Sequence, residues 1–137
     1  MHGNRKVQKH RLTKEDMVLL IDHVLYEHGV NRKAVITFLE IDNYAHTTVD
    51  VERGYVWMNF PKKFRNAYYA IHECAHVLRI GPDHGARYNA QYFRLLSIYL
   101  GWDEEHLRDL AQKYGLKVGP KNLVKKKVRT GSQVLIA

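Results

Sequence analysis

With 137 residues, 45% of them hydrophobic and 26% charged, the chain is long enough for one buried core and too short for two ordinary ones. No apolar run approaches the roughly 20 residues of a membrane span, which excludes a membrane role at this level. The formal charge of +8 belongs to the ends: residues 1–14 carry five basic residues and no acid, residues 115–137 carry six and no acid, and the stretch between holds 11 basic and 14 acidic residues.

Such arms commonly bind phosphate backbones through counterion release, or are simply solvated ends, so nucleic acid is a candidate partner. The opening MHGNRKVQKHRLTKED has no apolar segment after its basic residues and does not read as a secretory signal, so a cytoplasmic location is expected. Cys74 is the single cysteine. An intrachain disulfide and the paired cysteines of zinc fingers are therefore absent, and any metal falls to His, Asp or Glu.

In chain order, TKEDMVLLIDHVLYEHG (residues 13–29) starts with Thr13 and Asp16 in a capping-box-like spacing and ends on Gly29. Met17, Leu20, Ile21, Val24 and Leu25 recur between them at helical spacing, which predicts an amphipathic first helix. AVITFLEI (34–41), a turn at Asp42-Asn43, AHTTVDV (45–51), a turn at Arg53-Gly54 and YVWMNF (55–60) read as three strands of an antiparallel meander. From Lys62 or Lys63 to Ile80 the period becomes helical, and Gly81-Pro82 ends it. A third helix fits residues 85–100, and a fourth runs from near Asp103 to Gly115. Helix, strands, then three helices make an α+β domain. After Gly119-Pro120 the composition turns basic, and a partly disordered tail is expected, with VLIA at the end able to dock.

His72, Glu73 and His76 spell H-E-x-x-H inside a segment that independently reads as helix. Residues four apart share a helical face, so both imidazoles can reach one ion, with Glu73 beside them to hold a metal-bound water. At ~100° per residue from His72, His76 falls near ~40° and Glu73 near ~100°, while Ala67, Ala70, Ile71, Cys74, Ala75, Val77 and Leu78 fill roughly 140° to 300°. One flank can enter the core while the next faces a cleft.

Catalytic zinc takes three protein ligands and keeps an open position. His84 lies just past the Gly81-Pro82 break and directly before Gly85, which permits a close backbone approach. Asp83 is the rival third ligand, and otherwise an outer-shell partner. A purely structural zinc site is the bland alternative, disfavoured because such sites usually have four protein ligands and no spare carboxylate. Cys74, ~200° from His72 on the helix, is a core thiol. Tyr88, Tyr92 and Tyr99 read as packing, Tyr88 alone having reach as a phenol donor to a developing oxyanion. His46 sits on the polar face of the second strand.

H-E-C-A-H followed by a short turn and D-H-G-A-R-Y resembles the H-E-x-x-H…H-G-x-x-F/Y signature of the SprT-like (Spartan-like) zinc metallopeptidases and of related small metallohydrolases of actinobacteria and their phages. YVWMNFP also looks like the edge strand those proteins place before the active-site helix. The resemblance covers roughly residues 55–115. It implies a minimal zincin-like fold, His72, His76 and His84 as ligands of Zn2+, and Glu73 as general base. This chain departs from the pattern in its short interval between His76 and His84 and in having Tyr88 where Phe is more usual. Gly81 also falls five residues after His76, unlike the metzincin spacing. No glutamate stands in a thermolysin-like position, and Glu104 and Glu105 are the candidates should His84 not be a ligand.

The expected organisation is a basic arm at 1–12, a zincin-like metallohydrolase domain at 13–118 and a basic tail at 119–137. The expected function is hydrolysis of a peptide bond in a protein or peptide substrate, with the strand at 55–60 as the rim on which an extended substrate would pair. A nucleic-acid-binding module with structural zinc, and a zinc hydrolase of a non-protein substrate, are the alternatives.

Overall fold

The computed structural model describes residues 11–39, 44–80 and 84–129. Helix α1 spans Lys14–Glu27, with the Thr13 side chain accepting a hydrogen bond from the Asp16 N–H at 3.1 Å. That cap satisfies one of the open donors of the first turn, and Glu15 and Asp16 complement the helix dipole there. The helix stops at Gly29, which takes φ +72° and donates its N–H to the Tyr26 carbonyl. A side chain other than glycine would be strained at this φ.

Three strands follow: β1 (Lys33–Thr37), β2 (His46–Asp50) and β3 (Tyr55–Asn59). They form one sheet in the order β1-β3-β2, β3 running parallel to β1 and antiparallel to β2. The expected antiparallel meander is therefore corrected: only the β2–β3 hairpin is as read, and β3 inserts between the other two. Burial accounts for the insertion. Val56 and Met58 of β3 are fully buried, and Asn59 and Phe60 after them are too, whereas β2 is the polar run HTTVD. The strand with most to bury takes the centre, and the polar one tolerates an edge. The Asp42-Asn43 turn lies outside the described residues.

Pro61 is followed by a single 3-10 turn (Lys62–Phe64), and helix α2 (Ala67–Leu78) begins after Asn66. The continuous helix expected from Lys62 is broken because the buried Asn66 caps α2, its Oδ1 accepting from the Tyr69 N–H at 3.1 Å. Helices α3 (Ala86–Leu100) and α4 (Glu104–Lys113) complete the domain, α4 capped by Asp103. The core lies between the sheet and the α1, α2 and α3 helices, with Met17, Ile21, Met58, Phe60, Ile71 and Leu95 fully buried.

Residues 119–129, in the tail expected to be partly disordered, are anchored to the domain, with Val124 buried. Gln91, fully buried on α3, donates to the Lys125 carbonyl at 3.1 Å and accepts from its N–H at 2.8 Å. Lys127 meets the buried Glu27 carboxylate at 3.1 Å, and Lys121 pairs with Glu105. Part of the basic charge of this segment is thus paired within the chain. Among the described residues, no helix is long and apolar enough to cross a membrane.

Candidate metal centre

Helix α2 divides as its angular pattern predicts. Ala70, Ile71, Cys74 and Ala75 are fully buried, and His72 and His76 are half-buried on the adjacent flank. Cys74 lies in the core, its thiol pushed up by burial and by the neighbouring charges of Glu73 and Asp22. It is inert as a ligand.

His84 closes the site from another element, one residue ahead of Gly85, the N-cap of α3. Its Nε2 lies 3.0 Å from Nε2 of His76 and 3.2 Å from Nε2 of His72. Ligand atoms of all three histidines fall within 4.8 Å of one another. Nitrogens held at zinc-ligand distance by one tetrahedral ion would be about 3.3 Å apart. Three imidazoles so placed are close enough to hold one metal ion. Burial, with His76 and His84 adding to it, pulls the His72 imidazole down to about 4, so it is neutral at neutral pH, the form that ligates.

The rival ligands fall elsewhere. Asp83 lies outside the described residues. Glu104 is taken by Arg94 at 2.7 Å and Arg108 at 3.5 Å, and Glu105 by Lys121.

Glu73, 3% exposed, places Oε2 3.7 Å from Nε2 of His72. Its Oε1 accepts a hydrogen bond from Oγ1 of Thr47 at 2.6 Å. Burial raises the carboxyl above its ordinary value, against the lowering effects of Thr47 and of His46. A carboxylate with raised proton affinity beside a candidate metal site is suited to taking a proton from water.

Tyr88 packs its ring against His76, His84 and His72 with centroids at 4.5, 4.8 and 5.4 Å. Its hydroxyl donates to the His72 carbonyl at 2.8 Å. The phenol considered as an oxyanion donor is thus bonded to the α2 backbone in this structure. Tyr92 meets His72 edge-on at 5.5 Å, and Tyr99 lies instead against His23 and His28.

The site opens into a cleft of about 530 Å³, with residues 44–49 on one wall and His72, Glu73, His76, Ile80 and His84 on the other. The rim is β2, an edge strand. The strand at 55–60, expected to be that rim, is the central one. Thr47 and the cleft position of His46 are what sequence reasoning missed. Alternation in AHTTVDV puts Thr47 and Val49 on one face, but nothing in the string says that this face meets α2. Comparison with known proteins finds no matching family model, no matching curated protein and no matching solved structure.

Proposed function

We propose that the chain is a zinc-dependent metallopeptidase of the SprT-like kind, hydrolysing peptide bonds in a protein or peptide substrate. The observation that carries the reading is the convergence of three Nε2 atoms beside a buried carboxylate that is not one of them. Zinc bound by His72, His76 and His84 would supply a Lewis acid for the scissile carbonyl and bring the pKa of a water toward ~7. Three ligands leave a fourth position for water or substrate, and the open cleft gives access to it; a structural site would instead close its fourth position.

The chain's own groups then divide the work. Glu73 takes the proton of the attacking water on Oε2, the oxygen that faces the histidines, and returns it to the departing amine. Among the described residues the β2 edge pairs with β3 on one side only, which leaves backbone groups to pair with an extended polypeptide and lay it across the cleft. Tyr88 holds the ligand cluster by ring packing and by its bond to the α2 backbone. The test is zinc content and peptide cleavage of the Glu73→Gln variant. Zinc is retained and cleavage falls at least ~100-fold, and retained cleavage would refute the assignment of the base.

A further inference from the structure

We propose that Thr47 is a positioning residue for Glu73, an inference that rests on the reading of Glu73 as the base. Glu73 sits on α2 between two candidate ligands, yet among the described residues its side-chain hydrogen bond comes from β2, a different element. A glutamate's terminal torsion is broad and roughly two-fold, so its own helix does not decide which oxygen faces the metal. Thr47 decides it. The 2.6 Å contact holds Oε1 against the sheet edge and leaves Oε2 turned toward His72. That distance lies in the range of a hydroxyl donating to an ionised carboxylate, and the hydroxyl sits on a β-branched residue with restricted χ1. Without this donor, a carboxylate only 3% exposed would lose its anchor and be free to turn, and displaced catalytic groups lose about a hundredfold in rate.

Three variants of the full chain test this. Thr47→Val keeps the shape of the side chain and removes the donor, Thr47→Ser keeps the donor, and Thr47→Ala removes it with less bulk. With zinc content equal to wild type in all three, kcat on a peptide substrate falls tenfold to about a hundredfold for Val and Ala while KM stays within about twofold. Ser stays within about threefold. A second readout needs neither metal nor activity. In the metal-free protein, Thr47→Val lowers the melting temperature by about 3–8 °C in the wild-type background and leaves it unchanged in a Glu73→Ala background. Full kcat in Thr47→Val, in a protein that Glu73→Gln inactivates, overturns the positioning role and leaves the proposed function standing. The absence of any thermal coupling between residues 47 and 73 overturns it as well. A zinc-loaded wild type that hydrolyses no polypeptide overturns the proposed function and this inference together.

Discussion

Replacing His84 with alanine tests the site where its assembly is least local, because His72 and His76 come from one helix and His84 from just before the next. In wild type the three Nε2 atoms already stand at 3.0 and 3.2 Å, so little rearrangement opposes capture of one ion. At a free zinc concentration of 100 Kd, binding stabilises the folded state by about 2.7 kcal/mol. Unfolding entropy of about 2.1 cal/mol/K per residue over 137 residues is about 0.29 kcal/mol/K, so the melting temperature should rise by about 9 °C. Removing a ligand costs at least the ~100-fold in affinity that loss of a mere supporting contact can cost. In His84→Ala the same zinc concentration then equals the new Kd, and the gain shrinks to about 0.4 kcal/mol, about 1–2 °C. The assay is thermal unfolding in zinc-buffered solution, with Asp83→Ala alongside and expected to behave as wild type. A full 9 °C shift in His84→Ala, or its loss in Asp83→Ala, would refute the three-histidine assignment, and no shift in wild type would refute the metal site itself.

Tyr88→Phe should keep zinc and hold kcat within about threefold, losing about 1 kcal/mol of stability with the bond to the His72 carbonyl; a hundredfold fall in kcat would show that the phenol does act on the oxyanion. Glu104 predicts a pH dependence of stability. Burial raises its carboxyl, but the Arg94 hydrogen bond and the charges of Arg94, Arg108 and Lys121 outweigh that and hold it below its ordinary value of 4.5. A depressed folded pKa contributes stability that is present above the unfolded value and is lost as pH falls through the folded one. Glu104→Gln should therefore unfold at lower urea than wild type at pH 7, by about 1–2 kcal/mol, with the difference closing at pH 3; an equal difference at both pH values would rule out the charge as its cause.

Much of the fold was legible because its signals are local. Thr13, Asp103 and Gly29 announce helix ends through their own backbone neighbours, and the 3.6-residue period of α2 separates the flank of Ile71 and Cys74 from that of His72 and His76. The packed course of residues 119–129 was not legible. It depends on Gln91 and Glu27, polar side chains whose burial under Lys125 and Lys127 follows from tertiary placement and from no periodicity. The same holds for Thr47, whose partner lies 26 residues away.

Strand order is the point at which a missed long-range feature alters the functional argument. In a meander, the run at 46–50 would have been the middle strand, paired on both sides, and a substrate could have found a free edge only at 33–37 or 55–59. Inserting β3 between its neighbours moves that edge to β2, the strand that lines the cleft and carries Thr47. The choice follows from composition, since Val56 and Met58 bury completely while His46, Thr47 and Thr48 do not require it. One consequence links the sheet to the chemistry proposed for the site. The strand best placed to receive an extended chain also holds the carboxylate that would act on it, so a substrate pairing along β2 would lie against the element that orients Glu73.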